Sequence, residues 1–303
     1  MKNFYALFFA LLGSSGLCQA QTPAQNLMPD GSHDLYMGLG VIVRPNYEGS
    51  NKHKIRALPV LQMQWSNGAF IAGMNAGWHL SDQPQHDFGP LISIEPGRST
   101  SGSGNIIDGP NNVHTSDGDL FPESDVKKNK ADLNTVKTRL TAGGFYHMQL
   151  NPQVRWQNQI LYGSGNDRNG LRFNSDLRFK LPEFFPHQAI TVGVGVQAVN
   201  QAYARSYFGT SSVGNNLHSI SLFDDIAFAK STATDAKMKP AAYRPRAGIK
   251  DVHIDFFWNV NLSSSWLITT KLNATYLLNS AANSPVVQQR KNISFSTALA
   301  YRF

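Results

Sequence analysis

Apolar and polar residues alternate with a period of two over most of this chain. In residues 292–303 one set is Ile293, Phe295, Thr297, Leu299, Tyr301 and Phe303, and the other is Ser294, Ser296, Ala298, Ala300 and Arg302. A strand turns successive side chains to opposite faces, so this segment has a greasy face ending in two aromatics and a small, polar face. Residues 171–181 repeat the pattern: Leu171, Phe173, Leu177, Phe179 and Leu181 alternate with Arg172, Asn174, Asp176, Arg178 and Lys180. Residues 248–262 set Val252, Ile254, Phe256, Trp258, Val260 and Leu262 against Asp251, His253, Asp255, Asn259 and Asn261. A soluble β-sandwich alternates too. Long strands that are apolar on one side and charged on the other predict an all-β chain: one antiparallel transmembrane barrel, lipid outside and lumen inside.

Further strands are predicted at 33–44, 54–65, 88–96, 136–150, 154–163, 188–199 and 266–278. Residues 68–80 read as one strand, or as two short ones turning at Met74 and Asn75. Bacterial single-chain barrels have even strand numbers. An undivided segment would make eleven, so the split is preferred and the barrel has about 12 strands. Residues 98–131 and 200–242 have no period and read as long outer loops, the second with a short helix near 222–230. Short turns at 66–68, 151–152 and 263–265 belong at the periplasmic end by the same rule.

The first twenty residues interrupt this pattern. Lys2, an apolar run over 4–12, and small residues at Cys18 and Ala20 read as a secretory signal peptide over 1–20. The run is too short to cross a bilayer as a helix, which takes about 20 residues. Cys18 raises lipoprotein processing, but that wants a small residue where Leu17 stands. Cleavage after Ala20 leaves a periplasmic segment at 21–32, the barrel at 33–303, and no cysteine. Disulfides, thiol catalysis and thiolate metal sites are then excluded together. The formal net charge of +7 falls by one with the loss of Lys2. A basic balance can indicate nucleic acid, but an exported chain meets other partners: outer-membrane lipid and lipopolysaccharide, the barrel-assembly machinery, anionic solutes and murein.

Candidate chemistry is sparse. Gly193, Gly195 and Ala198 fit a loose dinucleotide fingerprint, yet that motif must open a helix, and Val192, Val194 and Val196 carry strand alternation straight through it. The nine histidines show no H-E-x-x-H spacing, and no G-x-S-x-G elbow occurs. Asp251, His253 and Asp255 share one strand face and read first as a hydrogen-bonded lumen cluster. No catalytic residue, metal site or cofactor is expected, and the chain does not read as an enzyme. Inward basic residues by this register are Lys54, Arg56, Lys137, Arg139, Arg155, Arg172, Arg178, Lys180 and Arg302; inward acids are Glu95, Asp176, Asp251 and Asp255. Rings of Arg and Lys select anions, so one reading is a narrow anion-preferring channel. The other is a salt-bridged plug. Barrels of about eight strands are filled by side chains and those of 16–18 hold water, so both readings stand here. The register also expects Phe256→Arg, on the lipid face, to disturb folding more than Asp255→Asn.

Several short motifs then fall in one order: Gly38-Leu-Gly40-Val; Pro45-Asn-Tyr47-Glu-Gly49-Ser50; Leu58-Pro59; Tyr207-Phe-Gly209; Ala247-Gly-Ile-Lys-Asp251; Ser284-Pro285-Val-Val287; and Tyr301-Arg-Phe303. Together they resemble the MltA-interacting protein family (MipA/OmpV) over nearly all of the chain after the leader. The insert around 98–131 departs from that pattern. The resemblance implies a non-enzymatic outer-membrane protein of a Gram-negative bacterium, a scaffold linking a murein transglycosylase to a murein synthase at the periplasmic face. The last residues are also similar to the C-terminal assembly signal of outer-membrane proteins. Thr297 is its polar residue and Tyr301 and Phe303 its aromatics, while Ala298 replaces the usual Gly.

Overall fold

The structure is a computed structural model in which residues 29–81, 83, 85–99, 102–103, 134–210 and 242–303 are described. The leader, most of the two long loops and the helix expected near 222–230 lie outside those residues. The strands are β1 (His33–Pro45), β2 (His53–Trp65), β3 (Ala69–Ala72), β4 (Asn75–Trp78), β5 (His86–Glu95), β6 (Arg98–Ser99), β7 (Gly102–Ser103), β8 (Arg139–Asn151), β9 (Val154–Ser164), β10 (Gly170–Lys180), β11 (Gln188–Val199), β12 (Gly248–Asn261), β13 (Trp266–Leu277) and β14 (Lys291–Arg302). Strands β6 and β7 form a separate two-stranded ribbon; the other twelve close into one antiparallel barrel in which β1 pairs with β14. No described helix is long and apolar enough to cross a membrane.

Strand parity follows the residue pattern. On β14, Ile293, Phe295 and Leu299 are exposed, while Ser296, Ala298 and Ala300 are buried inside. On β12, Ile254 is 55% exposed and its neighbour Asp255 only 2%. Register locks this arrangement, because a slip of one residue would turn every side chain to the other face. The β1–β14 seam is tight. Gly38 lies opposite Ala300 and Gly40 opposite Ala298, and a side chain at either glycine would collide with backbone carbonyls of β14. The Gly38–Gly40 motif therefore serves closure of the wall.

The segment 68–80 does split, at Gly73 and Met74, where Gly73 takes a positive φ of 57°. The hairpin is much shorter than its neighbours. β2 pairs with β3 only through Gln62, Met63 and Gln64, and β4 pairs with β5 only through Asn75, Ala76 and Gly77. From His53 to Val60, β2 is therefore paired on its β1 side alone among the described residues. Leu61 accepts the Gly73 N–H on the β3 side. Pro59, two residues away, turns its missing donor to that same side, as befits an edge position.

Two further departures shape the interior. Between β11 and β12 the register shifts: Gln197 faces Asp251 but Ala198 faces Ile249. Lys250 is the extra residue of this bulge. Simple alternation would put it on the lipid face, but it is buried beside Asp251. The second departure is helix α1 (Gln201–Phe208), which starts directly after β11. Asn200 is its N-cap and accepts the Tyr203 N–H at 2.9 Å, satisfying a donor that has no partner within the helix.

Candidate functional site

The barrel interior is built in three levels. At the end opposite the termini, α1 lies across the mouth. Tyr203, Ala204, Tyr207 and Phe208 pack with Val136, Val199, Leu277, Ala281 and Ala282 into one apolar cluster. Phe208 has no exposed surface, and burying such a side chain contributes about 1.5–3 kcal/mol. Short helix α2 (Asn279–Ala282) and the following loop complete the cap.

Four of the seven sequence motifs converge on this cap. Tyr47 donates its hydroxyl to the Val286 carbonyl at 3.1 Å. The Gly49 N–H meets Asn292 Oδ1 at 3.0 Å, and a side chain at Gly49 would strike Val287. Ser284 donates to the Phe208 carbonyl. Arg98 donates to the Tyr207 carbonyl at 2.6 Å, with its guanidinium 5.9 Å from the Tyr47 and Tyr207 ring centres. Lys250, delivered by the bulge, reaches Glu48 at 2.6 Å and Asp251 at 3.0 Å. Burial lowers the Arg98 pKa and pushes the Tyr203 and Tyr207 hydroxyls well up. Those phenols stay neutral, which suits the apolar cap.

Below the cap, Arg172 pairs with Glu95 at 2.8 Å. His253 faces two carboxylates, Asp176 at 2.7 Å from Nε2 and Asp251 at 3.1 Å from Nδ1. Gly195 makes room for this pair, since a side chain there would run into Asp176 and His253. Asp255 pairs with Lys271 at 3.1 Å and accepts from Asn273 at 2.9 Å. Both cations flank Phe257, with Arg178 at 4.7 Å and Lys271 at 4.8 Å from its ring centre. Asp176, His253 and Asp255 offer ligand atoms within 4.8 Å of one another. Lys271 bonds Asp255 directly, however, and its positive charge opposes a metal ion at that point.

The third level lies toward the termini. Asp87 is held by His79 at 2.6 Å, Arg155 at 2.9 Å and His147 at 3.3 Å. Arg302 pairs with Asp34 at 2.7 Å. Around the same rim, Trp266 meets Tyr301 and Tyr301 meets Phe303 edge-on, with centroids 5.0 and 4.8 Å apart. The Phe303 N–H donates to Leu35, and Thr297 shares a 3.1 Å hydroxyl contact with Thr270. These contacts tie the expected assembly-signal residues into the wall.

Of the residues expected in the lumen, Arg155, Arg172, Arg178, Asp251, His253, Asp255 and Arg302 come together as described. Arg56 and Lys180 are half-buried on β2 and at the end of β10. Arg139 donates instead to the Gly165 and Asn166 carbonyls, fastening the β9–β10 loop. Lys137 precedes β8 and is exposed, so it does not line the wall. The count of nine bases against four acids missed Asp34, Glu48 and Asp87 among the acids and Arg44, Arg98, Lys250 and Lys271 among the bases. Alternation could have found Asp34, which precedes the lipid-facing Leu35. Lys250 was hidden by the bulge and Glu48 by its loop.

Comparison with known proteins gives one family. The family model described as MltA-interacting protein MipA matches residues 37–303. No curated protein matches the chain. Among solved structures, the outer membrane channel DcaP of Acinetobacter baumannii aligns with a TM-score of 0.37 and 8% identity, covering 90% of this chain and 96% of that one. OprD from Pseudomonas aeruginosa aligns with a TM-score of 0.27 and 8% identity, covering 96% and 97%. Likenesses this loose carry no argument about function.

Proposed function

The chain belongs to the MltA-interacting protein MipA family, an outer-membrane β-barrel family, and from this premise we propose that it is a non-catalytic, non-conducting scaffold for murein-metabolising enzymes. The observation that carries the reading is the filled interior. Apolar packing closes the mouth, and the inward charges below it are buried in ion pairs between adjacent or nearby strands, as at Asp255–Lys271 and Asp87–Arg155. A selective pore instead presents its charges to water. With the lumen occupied, the surfaces left for a soluble partner are the two ends.

The end bearing the termini and the short turns faces the periplasm in this reading, and there the barrel presents a lytic transglycosylase and a murein synthase to each other. A rigid wall needs no catalytic group for that task. The test is retention of purified lytic transglycosylase by the immobilised, refolded barrel. Specific capture that is lost when the 181–187 and 262–265 turns are exchanged for Gly-Ser sequence supports the scaffold. No capture by a fully folded barrel refutes it.

A further inference from the structure

The outer wall is recessed across β9–β14, in a groove of about 740 Å³. Leu177, Val194, Ile254, Ala274 and Ile293 are direct cross-strand neighbours from β10 to β14. Four inter-strand spacings of about 4.8 Å give this row a length of about 19 Å. Ala274 and Ser175 are small among branched neighbours, which forms the recess. Because barrel strands are tilted, the row climbs obliquely through the apolar band. It rises from near the terminal end at Leu177 to the opposite end at Ile293.

The upper end of the groove is basic. Lys291 opens β14, lies in cross-strand register with Tyr276, is exposed and lines the groove. It makes no ion pair among the described residues. Arg290 precedes it, with one guanidinium nitrogen donating to Asn283 at 2.9 Å. A lysine beside a tyrosine at the edge of an apolar band sits at headgroup depth, where its ammonium attracts anionic lipid.

We propose that the groove binds one phosphorylated lipid of the outer leaflet, of the lipid A type, with an acyl chain along the recess and a phosphate on Lys291. The choice of leaflet rests on the orientation adopted above; the groove and its basic end do not. The recess supplies shape for the chain and Lys291 supplies charge for the phosphate. This combination distinguishes a bound lipid from the surrounding annulus.

Native mass spectrometry of the folded barrel in mild detergent, titrated with lipid A, phosphatidylglycerol or phosphatidylcholine, tests the assignment. One lipid A should survive gas-phase activation on the wild type and on Lys291→Arg. Lys291→Gln and Ala274→Trp should each lose it while keeping heat-modifiable mobility, and the Lys291 change covers the case that the tryptophan impairs folding. Equal retention of lipid A by wild type and Lys291→Gln overturns the site. Retention of phosphatidylglycerol in preference to lipid A overturns the choice of lipid, without touching the transglycosylase result.

Discussion

Asp255→Leu is expected to cut the yield of folded barrel severely. Asp255 is 2% exposed and joins Lys271 and Asn273 at 3.1 and 2.9 Å. Removing it leaves the ammonium of Lys271 buried without its carboxylate, a loss of about 3–5 kcal/mol in buried pairs broken on one side. Replacing both partners with apolar groups of similar size is often neutral. Asp255→Leu combined with Lys271→Met should therefore recover most of the lost stability. Urea unfolding in lipid vesicles, followed by gel mobility, compares the two variants with wild type. Equal loss in the single and double variants would show that the pair is not coupled.

Phe256→Arg is the second large effect. Phe256 adjoins Asp255 on β12 but turns outward, like Ile254 at 55% exposed. Arg on the lipid face at the midplane costs about 2–4 kcal/mol, and the same vesicle assay should show it as reduced folding yield. The sequence alone ranks this change above Asp255→Asn. In the structure Asp255 is paired with Lys271, so a change there is expected to be costly as well. Wild-type behaviour of Phe256→Arg would place that face away from lipid.

Period-two alternation made the wall legible. It gave the faces of β10, β12 and β14 correctly because one side meets lipid and the other does not. Strand parity even divided the short β3–β4 hairpin. Three features were not legible, each for a physical reason. The bulge at Lys250 breaks the alternation from which faces are read. Helix α1 depends on a cap at Asn200 within a long polar segment, where no strand period marks it. The pairing of inward charges joins strands distant in sequence, such as Asp34 with Arg302, and a count of charges on each face holds no information about partners. The sequence therefore favoured the plug over the channel only slightly.

That choice is the centre of the account, and single-channel recording tests it most directly. Refolded protein, confirmed as heat-modifiable barrel, is added to a planar lipid bilayer under an applied potential in 1 M potassium chloride. The filled lumen predicts a silent membrane at protein levels where a control porin inserts readily. Reproducible conductance steps, with selectivity for chloride over potassium, would contradict it.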